Sequence, residues 1–557
     1  MTKSTGARTG GRILVDQLKI QGCDRIFTVP GESFLAVLDA LHDTPEIDVT
    51  VCRQEGGVAY MADADGKMTG RPGVAFVTRG HGATNASGGV HVAFQDSTPM
   101  ILFIGDVARS DRDREGFQEI DFPDFFRPIA KWAARIEDAR RIPEYVARAY
   151  RVATAGRPGP VVLALPEDML RDEVDVPDRP RVPPLAEEPD PGAIQALFEL
   201  LKEAAAPVAI VGGADWSPRA GHHFANFAFR YGIPTAAAFR RQDAIANSCG
   251  VYAGNLGYGP NPELQKRIRD ADLILAVGTR LGEATTDGYT LISPDHPGQT
   301  LVHVHPDPNE LGRVYHADLP ICADMGEFAE MVDDWIDPDL VRFGCGEQAH
   351  KQWLDWSEPK PAKGVKLDLG LCVAAMRERL PAETIVTNGA GNFSGWVHRY
   401  WRYGPMPTQL APTSGTMGYG VPAAVAAALR FKDRPVVCVA GDGDFLMNGQ
   451  ELATAAQHGC DLLVVLVDNG SYGTIRMHQE RDYPKRVSAT DLENPDFAAL
   501  ARAYGGWAET VDNTADFPAA LDKALKKKGI RLIHCKTDVE QISHASTITK
   551  LRQKAKR

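Results

Sequence analysis

Pro435–Phe445 reads PVVCVAGDGDF, and Asp461–Gly473 reads DLLVVLVDNGSYG. Each is a continuous apolar, β-branched run that stops at a polar, glycine-containing turn, the pattern of a strand buried on both faces of a parallel sheet. A helical stretch at about Asn448–His458 lies between them. Strand, helix and strand make a right-handed crossover. Asp442 and Asn469, 27 positions apart, therefore come to the carboxyl ends of two parallel strands, the edge at which open α/β sheets bind ligands. The same alternation recurs outward, at Gly73–Thr78, Met100–Gly105, Gly159–Leu165, Pro207–Gly212, Asp272–Gly278 and Thr300–His305. The expected class is α/β, with doubly wound parallel sheets.

Two linkers divide the chain. Pro177–Pro191 holds six prolines among charges, and Gly344–Lys366 is polar, with Pro359, Pro361 and Gly364. Such stretches pack poorly and mark boundaries, giving three domains at 1–180, 190–343 and 366–557. No short-period repeat is present, so a solenoid is not expected.

Composition narrows the classes. The 557 residues carry 61 basic and 73 acidic side chains, net −12, which counts against a general nucleic-acid binder. The basic end, Lys550–Arg557, reads as a solvated tail. Apolar runs such as Leu462–Val467 fall far short of a membrane span, and Met1–Arg12 lacks an apolar core. The nine cysteines, Cys345 among them, form no CxxC and no zinc pattern. Free thiols in a reducing, cytoplasmic compartment are expected.

The turn Gly441-Asp442-Gly443-Asp444 carries the chemistry. A carboxylate at Asp442, an amide oxygen at Asn469 and a backbone carbonyl at Ser471 are hard oxygen donors suited to Mg²⁺, which takes its remaining ligands from phosphates and water. Glycines allow close backbone approach to a diphosphate, and the helix start adds positive dipole. Gly-Asp-Gly alone is no more than a turn. The second strand, ending in Asn469-Gly470-Ser471-Tyr472-Gly473, favours the functional reading.

With these residues in place, the chain resembles the thiamin diphosphate enzymes of the acetolactate synthase, pyruvate oxidase and benzoylformate decarboxylase group. Their GDG–spacer–Asn signature matches Gly441-Asp442-Gly443 and Asn469. One departure is Asp468, where the family usually has a first Asn. The resemblance covers essentially the whole chain, in the order pyrimidine-binding, central and diphosphate/Mg-binding domain. It implies that Asp442, Asn469 and the Ser471 carbonyl hold Mg²⁺, and that Gly441, Gly443, Asp444, Tyr472 and Gly473 line the cofactor. Glu55, in VCRQEGG at a strand-to-helix transition, matches the acid that hydrogen-bonds the aminopyrimidine and starts catalysis. A partly apolar setting would suit it to hold a proton near neutral pH; on its own it would read as an acid at a helix start.

Further positions follow from the same resemblance. In PTSGTMGYGVP, Met417 would bend the cofactor, with Gly415 and Met417 binding its pyrimidine edge. In TNGAGNFSGW, Asn392 and Ser394 are donors toward the diphosphate. VTRGHGATN stands in a loop that many relatives fill with Thr-Ser-Gly-Pro-Gly-Ala-Thr-Asn, so His81 is expected near the reacting carbon, with Arg79 beside it. In GFQE, Phe117 and Gln118 are expected along the substrate pocket, and His478 and Arg476 are further candidates for an acidic substrate group. Otherwise His81 is a hydrogen-bonded loop histidine.

The implied reaction is decarboxylation of a 2-keto acid to an enamine, followed by ligation to a second carbonyl. Two departures weaken the branched-chain biosynthetic assignment: His478 stands where those enzymes carry Trp, and Ala284, after Arg280, where they carry Arg. FAD in the central domain is admitted by the resemblance but lacks a dinucleotide fingerprint. Two alternatives stay open: a non-ligating decarboxylase or acyl-CoA/acyloin lyase of the same family, and a dinucleotide-binding redox protein. The family also implies a homodimer or homotetramer with the active site at the subunit interface.

Overall fold

The computed structural model describes residues 6–213, 215–295, 297–340 and 344–555, with nothing said of the Cys345 side chain. The expectations made for Cys345, for the first five residues of Met1–Arg12 and for the last two of Lys550–Arg557 lie outside the described residues. Three six-stranded sheets of parallel strands carry the chain. The first holds Arg25–Thr28 (β1), Asp48–Val51 (β2), Gly73–Val77 (β3), Met100–Asp106 (β4), Trp132–Arg135 (β5) and Pro160–Pro166 (β6). The second holds Pro207–Val211 (β7), Thr235–Ala237 (β8), Tyr252–Asn255 (β9), Leu273–Val277 (β10), Thr300–His305 (β11) and Leu319–Cys322 (β12). The third holds Ile385–Asn388 (β13), Gln409–Leu410 (β14), Val436–Gly441 (β15), Leu462–Asp468 (β16), Trp507–Val511 (β17) and Ile530–Lys536 (β18).

The first sheet is ordered β2-β1-β3-β4-β6-β5 and the third β14-β13-β15-β16-β18-β17, the same winding in both. The middle sheet is ordered β9-β8-β7-β10-β11-β12, the order of dinucleotide-binding folds. Central strands such as β3, β4, β10 and β15 are buried at every residue, as continuous apolar runs require. Helices on both faces supply the cores, for example Ile13, Leu14 and Leu18 against Ile101 and Phe103 in the first, and Phe224 and Phe227 against Leu275 and Val304 in the second.

By contact density the chain forms two units. One runs to Leu185 and takes in Val425–Arg430 and Gln450–His458; the other holds the remaining residues, including the second and third sheets. The eight cysteines with described side chains are all free thiols. No helix among the described residues is long and apolar enough to cross a membrane.

Three local expectations need correction. Lys550–Ala555 is no free tail but part of the helix Ile548–Ala555, whose Arg552 bonds the buried Glu480, and Gly344–Lys366 is no bare linker, since the helix Cys345–Trp356 buries Trp353 in the second core. The helix after the GDGD turn starts at Asp442, not near Asn448. It runs Asp442–Asn448, tightens into a 3₁₀ turn at Gly449–Glu451 and resumes as Leu452–Gln457. Gly443 and Gly449 lower intrinsic helix propensity, and this hides the first turn from a pattern reading. The consequence is functional: Asp442 sits at the first helical position, with its amide end facing the strand tips.

Candidate active site

In the third sheet the winding reverses between β13 and β15, so the loops after these two strands diverge and leave a crevice. A cavity of about 240 Å³ lies there. Its lining comes from the loop after β13 (Ala390–Phe393), the loop after β14 (Gly415, Met417), the GDGD turn after β15 and Asn469 to Thr474 after β16. Trp396, Gln541 and Ile542 add to the wall, with Leu369, Val467, Ile475 and Thr537. No Lys, Arg or His is among the lining residues.

Asp442 is buried, and its carboxylate accepts N–H bonds from Gly443 (2.9 Å) and Gly470 (2.9 Å). The side-chain amide of Asn494 donates to it as well, at 2.8 Å. Burial pushes the Asp442 carboxyl up, and the charge of Asp468 adds to the rise. Asp468 goes the other way. Burial alone would raise it, but hydrogen bonds from His534, Asn494 and the Gly470 amide hold it at about 2. The Asn469 side-chain oxygen accepts the Ser471 amide at 3.0 Å, and the Ser471 hydroxyl donates to the Thr490 carbonyl at 2.9 Å. That leaves the Ser471 side chain occupied, while the residue lines the cavity.

Asp444 spans two loops. One carboxylate oxygen accepts the Gly418 amide (2.8 Å) and the Ala390 amide (3.2 Å). Burial raises it to about 7. A Cβ on Gly389 would come within 2.0 Å of that oxygen, so only glycine fits there. Asn392 is likewise engaged: its amide donates to the Ile542 carbonyl at 2.9 Å and its oxygen accepts from the Thr474 hydroxyl at 2.9 Å.

The structure thus brings Asn392, Gly415, Met417, Gly441, Asp442, Gly443, Asp444, Asn469, Ser471, Tyr472 and Gly473 to one cavity. Ser394 is not there. It is the second residue of the helix Phe393–Tyr400, and its hydroxyl donates back to the Gly391 carbonyl at 2.8 Å. His478 is exposed on the helix Gly473–Asp482 and does not line the cavity either. Arg476 is committed to Glu480 (3.0 Å) and Asp491 (3.1 Å), which takes its charge away from any substrate.

The first unit holds the other candidates. Glu55 opens the helix Glu55–Thr69 and is buried, with Asn85 donating to it at 3.0 Å. Its turn is held from behind by Glu451, which accepts the amides of Arg53 (3.1 Å) and Gln54 (3.0 Å). His458 accepts the Val51 amide at 3.2 Å. His81 and Gln118 meet, Nδ1 to Nε2, at 3.2 Å. Gln118 adopts a left-handed φ of 63°, a costly conformation outside glycine. Phe117 is solvent-exposed. Arg79 is buried and bonded to Glu167, Glu32 and the Phe117 carbonyl, so it shapes the loop rather than meeting a ligand.

Sequence reasoning missed Asn494, Glu451 and the Asn392–Thr474 bond. Asn494 lies in a stretch without helix or strand pattern, and its one local signal is the Asn-Pro-Asp that precedes an apolar helix.

Three families of sequence models match the chain: the thiamine pyrophosphate enzyme N-terminal binding domain at 8–125, the central domain at 194–332 and the C-terminal binding domain at 389–535. The chain belongs to the thiamine pyrophosphate enzymes, and within them to the acetolactate synthase-like group. It is 33% identical over 518 residues to the acetolactate synthase large subunit of Parasynechococcus marenigrum (strain WH8102), covering 89% of this chain and 82% of that one. It is 31% identical to an acetolactate synthase of Arthrospira platensis, over 94% of this chain and 93% of that one. With the isozyme 2 large subunit of Escherichia coli (strain K12) it shares 29%, over 95% of each. It is an enzyme of the thiamin diphosphate-dependent kind.

Proposed function

We propose that the protein is a thiamin diphosphate- and Mg²⁺-dependent carboligase acting on 2-keto acids. One observation carries the reading. The cavity at the β13/β15 reversal is lined by two carboxylates, several glycines and the start of two helices, and by no cationic side chain. Helix starts and glycine amides suit a diphosphate, but its charge would meet Asp442 directly. A divalent cation between them resolves the conflict, and the donors present, all oxygen, fit Mg²⁺.

In this reading Asp442, Asn469 and the Ser471 carbonyl hold the metal. Met417, Gly415, Asn392 and the glycines at 441, 443 and 473 fit the cofactor. Bound thiamin diphosphate supplies an electron sink that lets a 2-keto acid lose CO₂ and the remaining carbon attack a second carbonyl. Glu55, held by Asn85 and by the turn that Glu451 fixes, exchanges a proton with the cofactor's aminopyrimidine. His81 and Gln118, already paired, contact substrate. We assign the chain to the cytoplasm, as a homodimer or homotetramer with its active site at the subunit interface, and place the domain boundaries at 1–180, 190–343 and 366–557.

FAD is not part of this reading. At the reversal of the middle sheet, a Cβ on Gly213 would lie 1.9 Å from the Gly278 carbonyl oxygen, and Trp216 donates to the Gly212 carbonyl at 2.9 Å. The loops touch where a dinucleotide's diphosphate would pass. This contact also argues against the redox alternative.

The test is calorimetric titration with thiamin diphosphate with and without Mg²⁺, then incubation with a panel of 2-keto acids and mass analysis of products. Metal-dependent binding and an acetohydroxy acid product are expected. Free aldehyde alone would establish a non-ligating decarboxylase, and no binding would sink the reading.

A further inference from the structure

Asp442 and Asp468 end neighbouring strands, and their side chains share the same donors. The Gly470 amide lies 2.9 Å from Asp442 Oδ2 and 3.0 Å from Asp468 Oδ1. The Asn494 Nδ2 lies 2.8 Å from each of the same two oxygens. A primary amide has two N–H groups, so Asn494 can give one to each carboxylate. Two carboxylates this close repel, and a shared pair of donors is what lets both stay side by side. The remaining oxygen of Asp468 is taken by His534 Nε2 at 2.9 Å. Asp468 is thereby turned away from the role of ligand, while Asp442 keeps its place on the cavity wall.

Asn494 is itself fixed on both sides. Upstream, the Leu492 amide donates to the Gly470 carbonyl at 2.8 Å, and Asp491 bridges Ser471, so this segment runs beside the loop it serves. Downstream, Pro495 is followed by Asp496, whose side chain caps the helix Phe497–Ala503 through the Ala499 amide at 2.9 Å. Phe497 packs edge-on against both Phe445 and His534. The amide is therefore held in position by backbone pairing, a cap and an aromatic contact, not left free on a loop.

We propose that Asn494 is a positioning residue that bridges Asp442 and Asp468 and aims the Asp442 carboxylate at a divalent cation. This rests on the magnesium reading of the cavity. Groups that orient metal-binding carboxylates are worth about 10–100-fold in metal affinity when removed. The bridge matters because two carboxylates must be held together; with Asp468→Asn, only one negative charge remains and the need for a shared donor falls.

The test measures Mg²⁺ affinity by calorimetry on the full-length protein at saturating thiamin diphosphate, so it does not depend on turnover. Asn494→Ala and the isosteric Asn494→Asp, which cannot donate, are each expected to weaken Mg²⁺ binding by about 10–100-fold. Melting curves identify any variant that fails to fold, and Asn494→Ser serves in its place. In the Asp468→Asn background the Asn494→Ala loss should shrink to about threefold or less, a non-additivity expected only of coupled groups. Wild-type-like affinity in both Asn494→Ala and Asn494→Asp overturns the proposal, as does an equal loss in the two backgrounds. If the wild type binds the cofactor without any need for Mg²⁺, the magnesium reading fails and takes the proposal with it. If Asp442→Ala abolishes metal binding while Asn494 variants do not weaken it, the proposal alone fails.

Discussion

The first and third sheets are wound in the same order, yet they treat the same place differently. In the third, the loops after β13 and β15 meet at the buried carboxylate of Asp444, and a cavity nonetheless opens beside them. In the first, the equivalent loops after β1 and β3 touch. Ser33 and Thr78 hydroxyls lie 2.9 Å apart, and a Cβ on Gly31 would come within 2.4 Å of Thr78. The middle sheet closes its own reversal with Gly213 against Gly278. Topology offers a crevice in all three; what fills it is set by a few side chains. The acid that the proposed function gives to the first sheet is placed elsewhere, at Glu55 after the edge strand β2.

The comparison can be broken most forcefully at Glu55. Glu55→Gln keeps the shape but cannot exchange a proton, and turnover should fall by about 10²–10⁴-fold, with cofactor affinity by calorimetry nearly unchanged. Intact turnover would show that the first sheet does no chemistry at its edge. Next is Asp444→Ala. Two amides lose their partner, and stability should drop by roughly 3 kcal/mol in denaturant titration, together with cofactor affinity. A stable variant with normal affinity would mean that the carboxylate does not hold the crevice.

A third change concerns the helix that continues the cavity loop. Glu480 is buried between Arg476 and Arg552, and their hydrogen bonds hold it at about 2. A depressed carboxyl stabilises the fold above its unfolded value, and that contribution is lost as pH falls toward the folded value. Glu480→Gln should cost about 2 kcal/mol near neutral pH and flatten the acid limb of stability between about pH 4 and 2. An acid limb as steep as in the wild type would contradict this. The smallest effect is expected from Ser33→Ala, about 1 kcal/mol for one buried hydrogen bond, with cofactor binding untouched; a change in binding would show that the closed crevice of the first sheet is also functional.

The sequence made eight buried strands plain, because both faces are covered and the apolar run is unbroken; Thr235–Ala237, Tyr252–Asn255 and Ile530–Lys536, equally buried but short or broken by polar residues, did not stand out. Trp132–Arg135, Leu319–Cys322 and Trp507–Val511 escaped it, since they are edge strands with half-exposed faces and mixed composition. The two-residue strand Gln409–Leu410 is too short to carry any period. At the site, residues next to strand ends were legible from type and spacing. Ser394 read as a donor, but the helix Phe393–Tyr400 turns it toward its own backbone. His478 and Arg476 drew notice for their charge, and only the fold reveals Glu480 and Asp491 as the partners that occupy Arg476. Asn494 reaches Asp442 across 52 positions, a pairing made by tertiary contact that no local pattern encodes.

The grip of Glu451 and His458 on residues 51–54 bears on how the chain is made. Protein synthesis delivers the amino terminus first, and the ribosome must extend the polypeptide past residue 458 before the turn behind Glu55 receives its last anchors. Until then the Arg53 and Gln54 amides have no carboxylate to receive them. A nascent chain stalled after its second sheet would hold Glu55 on an unfinished mount, short of the two side chains that close it.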